Sequence, residues 1–454
     1  MKLWMLLFFS TLLFGRFIPE GYISPIPADV LTKTQEHVHF AQLHFDDAVA
    51  TPDTRQKIAD ELAYMRLSAI YFKNHEAVWL EILKAELERL GITPNKTLAI
   101  TASPITSKML WPHLDPATIY TVAVLDLRNT PLTLQMPDGI DKAILLDHWG
   151  KQIAALDANG SYILYAPDEN FVPATKLLHT DDEDKEFPTL QSDTYTNFLF
   201  VQMPRESNIT AFESQLRITP LLNDTNKTNS FTDISSMQSI VLLPKSARFF
   251  KLLDNIAQND LVPTDKAAEL IQAGIVKNKI FQPDLQQRLR LQDAAHSAGI
   301  ILQNTSALAH LKALDRHDKN ITVVKLTSDD TNATLSGSNH YLIHIPSAAA
   351  DSWSVTLYDT QTGSMLQNPL DLHPYILSED NDLLYNEDGS IDLHFTPQNQ
   401  NDAQSANTIK TVAGKNFFVM IRFYKPRTEH FDLSIQKIEN NASKTEPDED
   451  ISVF

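Results

Sequence analysis

The chain of 454 residues contains no cysteine. That excludes disulfides, thiolate-held zinc, a thiolate nucleophile and a lipid-modified N-terminal cysteine. A cysteine-free chain also tolerates an oxidising compartment without mispairing. Glycine is scarce, at 12 residues, and the glycine-built motifs are missing: there is no P-loop, no G-x-G-x-x-G and no G-x-S-x-G elbow. H-E-x-x-H is absent as well. These gaps remove familiar motifs but leave room for a convergent active site. Positive charge is in deficit. Thirty-eight basic residues against 57 acidic ones give a net charge of -19. Such a surface repels nucleic-acid phosphates and anionic lipid heads, so no nucleic-acid partner is expected.

The N-terminal apolar run is short. Lys2 precedes Leu3 to Phe14, and Gly15-Arg16 closes it, where a spanning helix needs about 20 apolar residues. A positive start, a short apolar core and then polar chain is the pattern of a signal peptide. Residues 1–28 are therefore expected to be a signal peptide, with Ala28 as a cleavage candidate despite the large Ile26 at the minus-three position. An uncleaved N-terminal anchor is the alternative. The expected location is periplasmic or secreted, with no membrane contact beyond this segment.

The chain has the length of two or three domains. From Thr51-Pro-Asp53, Ile58, Leu62, Met65 and Ala69 repeat at helical spacing, and Trp79, Ile82, Leu83, Leu87 and Leu90 continue the pattern to Gly91. This predicts one bent helix or two successive ones, broken near Lys73-Asn-His75. From Leu98 the period changes to two. Tyr120, Val122, Val124, Asp126 and Arg128 share one strand face, and Ile119, Ala123 and Leu125 share the other. Asp157-Ala-Asn-Gly160 between Gln152–Leu156 and Ser161–Tyr165 predicts a hairpin. Asp181 to Glu186 reads as a charged loop, and Asn223 to Ser230 as a boundary. Helices are expected again from Pro263 and Pro283, with a third near Ala307 to Leu314. A second β-rich block follows, and the acidic tail from residue 439 is expected to be disordered.

Within that second block, Trp353-Ser-Val-Thr-Leu-Tyr-Asp359, Asn368-Pro369, Asn386 with Asp388-Gly-Ser390, and Arg422-Phe-Tyr424 with Pro426 occur in order. Thr118-Ile-Tyr120, Leu125-Asp-Leu127, Pro131, Pro137-Asp138, Asp147-His-Trp-Gly150 and Tyr162-Ile163 with Ala166-Pro167 precede them. Together these residues resemble the paired domains of unknown function 1254 and 1214 of exported bacterial proteins. The resemblance covers about residues 100 to 430. An Asn-Trp-Leu-Pro segment usual before the last strand is replaced by Asn407 to Gly414. The resemblance implies two β-rich domains with a helical segment and a homo-oligomer, and no established reaction. The expected fold is α+β: two antiparallel sandwich-like or barrel-like domains (50–235 with its helical lead-in, and 323–438) joined by a helical connector over 236–322.

Arg422 shares strand parity with Phe418, Met420 and Tyr424, while Phe417, Val419, Ile421 and Phe423 fill the opposite face. With both faces apolar, the guanidinium needs a partner, for which Asp359 or Asp388 is available. Asp126 shares a face with Tyr120 and with Arg128, its nearest partner. Trp149 and Trp353 read first as packing residues and second as stacking surfaces for a sugar. The candidate ligand pocket is accordingly Tyr120, Asp126, Trp149, Trp353, Asp359, Arg422 and Tyr424. Asp147 and His148 are adjacent on a strand and point apart, which argues against a catalytic dyad. His37, His39 and His44 could hold a metal but read as a surface strand. No metal and no cofactor are expected. Aromatic sheets, the export signal and the absence of a catalytic motif favour a non-enzymatic ligand-binding or envelope-associated protein, taking a small molecule or glycan. The alternative is a hydrolase of an extracellular ester, amide or glycan with a convergent site between the domains.

Overall fold

The computed structural model describes residues 28–167, 187–221, 228–304, 321–347, 349–369, 372–397, 406–428 and 430–438. The leader, the 181–186 loop, the helix near Ala307 and the tail lie outside these residues, as does most of the 223–230 boundary. Two compact units divide at Ala63 and Tyr64. In the first, β1 (Gln35–Val38), β2 (Ala41–Asp46) and β3 (Val49–Ala50) form a small antiparallel sheet. His37 and His39 stand exposed there, and His39 pairs with Glu61 at 3.3 Å. Among the described residues no group of three His, Asp or Glu side chains is placed to hold a metal ion.

Helix α1 (Pro52–Arg89) runs 38 residues without a break. Thr51 Oγ1 accepts the Thr54 amide at 3.3 Å at its start, and Gly91, at φ +84°, ends it. The break expected near Asn74 does not occur. Asn74 is fully buried; its amide donates to the Ile70 carbonyl at 2.8 Å, and its side-chain oxygen accepts from Lys266 at 3.0 Å. A polar side chain with both ends satisfied needs no bend in the helix.

In the second unit, from Tyr64 onward, the first β domain comprises β4 (Thr97–Ile100), β5 (Met109–Leu110), β6 (Thr118–Asp126), β7 (Leu132–Gln135), β8 (Lys142–Asp147), β9 (Gln152–Ala155), β10 (Ser161–Tyr165), β11 (Thr189–Gln191), β12 (Thr196–Pro204), helix α2 (Ile209–Gln215), β13 (Arg217–Pro220), β14 (Ser230–Asp233) and β15 (Ser239–Ile240). A six-stranded sheet, β14-β4-β6-β12-β8-β9, is its centre. The alternation read from β6 sets its two faces. Tyr120, Val122 and Val124, with Phe198 and Phe200, meet Trp79, Leu83 and Leu87 of α1 and Trp111. Ile119, Ala123 and Leu125, with Leu199 and Val201, meet Leu132, Leu134, Leu164 and Ile218 of the four-stranded sheet β11-β10-β7-β13. The Asn-Gly turn forms, with Asn159 at φ +58°, but it is not a hairpin. Strand β9 pairs with β8 and β10 with β7, so the turn carries the chain from one sheet to the other.

Helices α3 (Arg248–Asn259), α4 (Thr264–Gln272) and α5 (Leu285–Asn304) form a layer on the other side of α1. Phe249, Phe250, Leu253, Leu291 and Ala298 pack there with Leu67, Ile70, Tyr71 and Val78. From Ala77 to Leu83, α1 is therefore buried nearly all round, with Glu81 its one charged residue, as a helix segment between two layers must be.

The second β domain holds β16 (Ile321–Leu326), β17 (His340–Ile345), β18 (Ala350–Asp359), β19 (Tyr375–Leu377), β20 (Ile391–Pro397), β21 (Thr408–Thr411), β22 (Phe417–Pro426) and β23 (Ile435–Ile438). The sheet β16-β22-β18-β19 faces the sheet β21-β20-β17-β23. Val355, Leu357, Val419, Ile421 and Phe423 point inward to Tyr341, Ile343, Leu393 and Phe395. The opposite parity, Tyr358, Phe418 and Met420, joins the core of the first domain beside Trp111 and Tyr120. The two β domains thus share a continuous apolar seam, and the fold is α+β.

Candidate functional site

Arg422 lies on the seam side of β22, in register with Ser354 of β18. It is almost wholly buried, at 5% exposure. One guanidinium nitrogen donates to the Tyr358 hydroxyl at 2.8 Å and another to the His113 carbonyl at 2.9 Å. Its Nε stands 4.0 Å from Asp115 Oδ2. Tyr358 donates in turn to the Leu114 carbonyl at 2.6 Å. Tyr424 Oη lies 2.8 and 2.7 Å from the two oxygens of Asp115. Asp115 also accepts from Thr118 Oγ1 at 3.0 Å and from the Ala117 amide at 3.1 Å, and its own amide donates to Tyr120 Oη at 3.0 Å. The whole loop His113–Asp115 of the first domain is therefore held by three side chains of the second.

The electrostatics follow from burial. Burial alone would discharge Arg422, but Tyr358 and Asp115 outweigh it and raise its pKa above the ordinary guanidinium value. Burial, then Asp115, raises Tyr424 well above the usual phenol value. Burial raises Tyr358 likewise. All three hold the protonation state in which they donate. His113 takes a positive φ of +56°, rare for a residue with a Cβ, and its ring packs edge-on against Tyr358 and Phe418.

Beside this cluster the two domains leave a cleft of about 230 Å³. Arg205 and Glu206 line it from the first domain, and Trp353, Glu379, Tyr424 and Lys425 from the second. Arg205 is anchored through the carbonyls of Thr101, Ala102, Ser103, Pro116 and Thr118, so it forms a fixed wall. Burial, then Glu206 and Asp380, raises the pKa of Glu379.

The structure brings Tyr120, Arg422 and Tyr424 together, with Trp353 at the adjacent cleft. Asp126, Trp149 and Asp359 lie elsewhere. Asp126 is six residues along β6 from Tyr120, about 20 Å at the strand rise. It pairs there with Arg128 at 3.0 Å. Trp149 is in the helical layer, its indole donating to the Leu261 carbonyl at 2.9 Å. Asp359 is five residues beyond Ser354, so it cannot serve Arg422. It takes the Gln361 amide at 2.6 Å and faces Lys415 at 3.5 Å. Asp388 caps Ser390 instead. Asp115, Tyr358 and His113 are what the sequence reading missed.

A second buried constellation was also missed. His148 opens the turn that follows β8 and lies between two other carboxylates. Its Nδ1 is 2.9 Å from Asp260 Oδ2 and its Nε2 is 3.1 Å from Glu81 Oε2. Burial opposes its charge, but the hydrogen bonds it donates to Asp260 and Glu81 outweigh it and raise its pKa. Despite burial, His148 lowers both carboxylates. Asp147 instead caps its own turn through the Trp149 and Lys151 amides, and burial pushes it up to about 6.

Residues 95–220 match the family described as Protein of unknown function (DUF1254), and residues 321–428 match Protein of unknown function (DUF1214). The chain carries both domains, in that order. Among solved structures it is similar to the VPA0106 protein from Vibrio parahaemolyticus. That likeness has 15% identity and a TM-score of 0.45, and covers 83% of this chain and 100% of that one. An uncharacterized protein from Burkholderia cenocepacia is similar at 12% identity and a TM-score of 0.37, over 85% and 96% of the two chains. No curated protein matches. The loop His113–Asp115 belongs to the DUF1254 match and Tyr358, Arg422 and Tyr424 to the DUF1214 match, so the polar cluster is the contact between the two named domains.

Proposed function

We propose that the protein is an exported binding protein that takes a small polar ligand in the cleft between its DUF1254 and DUF1214 domains. The observation that carries this reading is the division of labour at the seam. The buried polar groups Arg422, Tyr358, Tyr424 and Asp115 are spent on one another and on the His113–Asp115 loop, which fixes the two domains. The neighbouring cleft keeps charges of both signs, Arg205 and Lys425 with Asp141, Glu206, Asp351 and Glu379, around open space. A lining rich in carboxylate acceptors, with two cations, suits a polar molecule rich in hydroxyl donors such as a sugar ring. The volume, below the roughly 300–1,000 Å³ of a drug-sized site, suits a single ring. Export is supported by the leader pattern of residues 2–16 and by the lack of cysteine. Among the described residues no helix is long and apolar enough to cross a membrane.

The hydrolase reading rests on Glu379, whose raised pKa beside Glu206 is the setting of a general acid. One experiment separates the two. Saturation-transfer NMR with methyl glycosides of hexoses and N-acetylhexosamines is expected to give signals that vanish in a Glu206→Ala/Glu379→Ala variant, with the glycosides intact afterwards. No signal from any glycoside sinks the binding reading. Cleavage of the glycosides, or of p-nitrophenyl esters, lost on Glu379→Gln, replaces it by the hydrolase.

A further inference from the structure

A separate cavity of about 670 Å³ opens on the helical layer, outside both matched domains, among α3, α5 and the turn that joins α4 to α5. Arg248 and Lys251 come from α3, Lys279 from the turn and Arg288 from α5, against one lining carboxylate, Asp254. Asp254 is already engaged by the Gln258 amide at 2.9 Å. Among the described residues none of the four cationic side chains forms an ion pair or a hydrogen bond. In a chain of net charge -19, four gathered cations against a single carboxylate are an unusual local field. The walls between them are apolar: Phe281, Pro283, the buried Leu291, and Ile280 at the lip with 84% exposure.

The scaffold is fixed. Gln258 donates to the carbonyls of Val276 at 3.0 Å and Lys279 at 3.2 Å, and accepts the Asn278 amide at 2.7 Å. Asn278 sits at φ +62°, so the turn carrying Lys279 to Phe281 is tied to α3 at a set angle. A preformed concave site with convergent cations and an apolar wall selects for both features in one ligand.

We infer that this cavity binds a small amphiphilic organic anion, with a carboxylate, sulfonate or phosphate head on an apolar body. The head meets Arg248, Lys251, Lys279 and Arg288, and the body lies on Phe281, Ile280 and Leu291. Octanoate is the probe. Isothermal titration of the full chain is expected to show saturable octanoate binding, weaker by about tenfold in Lys279→Met and abolished in Arg248→Glu/Arg288→Glu. Both arginine side chains are exposed and make no contacts that folding needs, so circular dichroism of the double variant should match the parent. If the double variant does unfold, Lys279→Met alone decides. Octanol binding as tightly as octanoate removes the role of charge, and inorganic phosphate binding as tightly removes the role of the apolar wall. Either result overturns the inference, as does an octanoate affinity unchanged in the variants or absent from the parent.

Discussion

Replacing His148 by leucine removes the one cation between two buried carboxylates. His148 is 2% exposed, Glu81 4% and Asp260 1%, so the two acids would face each other without solvent. Breaking a buried pair by deleting one partner costs about 3–5 kcal/mol. Remaining partners place this case at the lower end, about 3 kcal/mol. Glu81 keeps Lys84 at 3.5 Å and the Asn255 amide, and Asp260 keeps the Tyr195, Thr196 and Leu261 amides at 2.8, 3.0 and 2.8 Å. The sign of the pH dependence follows from the shifts. The His148 pKa is raised on folding, so its contribution is complete below the unfolded value of 6.5 and fades as pH rises through the folded one. Glu81 and Asp260 are lowered, so theirs is present above the unfolded values of 4.5 and 3.8 and is lost as pH falls. Urea denaturation from pH 5 to 9 should show the parent losing stability above pH 6.5, at up to about 1.4 kcal/mol per pH unit from this group. The His148→Leu variant should lack that component. Adding Glu81→Gln to it should cost at least about 1 kcal/mol less than the sum of the single changes. A variant within about 1 kcal/mol of the parent at pH 6, or one that keeps the parent's pH profile, refutes the reasoning.

Other changes have equally direct readouts. Tyr424→Phe strips a donor from the buried Asp115 carboxylate and should lower the urea-derived stability by about 1–3 kcal/mol, with Trp353 fluorescence reporting any loosening at the cleft. Gly337→Ala would place a Cβ 2.1 Å from the Val412 carbonyl oxygen, a backbone atom that cannot swing aside, and should cost at least about 1–3 kcal/mol by thermal or urea melting. At Gly91 a Cβ meets open space, so Gly91→Ala should cost only the left-handed backbone term, about 1 kcal/mol by the same melt. Fractionation should recover the mature chain from the periplasm or medium with its first residues removed; intact cytosolic protein would contradict export.

Side-chain parity was readable because it is local. The alternation along β6 and β22 assigned Tyr120 and Arg422 to their faces, and the structure keeps those faces. What each face meets was not readable. Arg422 reaches the carbonyl of His113, 309 residues away, and no spacing in the sequence encodes that contact. Asp359 looks adequate until the register of β18 against β22 sets it opposite Phe417, and Asp388 until the turn before β20 places it with the facing sheet. The Asn159-Gly160 turn shows the same limit: turn chemistry is local, but the sheet each flanking strand joins is decided by tertiary pairing. Glu81 did leave a trace, a lone carboxylate inside Ala77-Val-Trp-Leu-Glu-Ile-Leu83. Its partner His148 lies 67 residues further on, and no spacing joins the two. The cleft was legible only in part: Trp353 and Tyr424 stood among the candidates, but Arg205, Glu206 and Glu379 look like ordinary surface charges until two domains close around them.

Hydrogen–deuterium exchange on the parent and on Arg422→Met probes the clamp between the two domains most directly. In the parent, residues 111–120, 352–358 and 418–424 should exchange slowly as one group. In the variant these three segments should speed up together, while β10 and β17, buried within separate cores, stay protected. Unchanged protection of 111–120 in a folded Arg422→Met protein would contradict the claim that this arginine joins the domains and shapes the cleft.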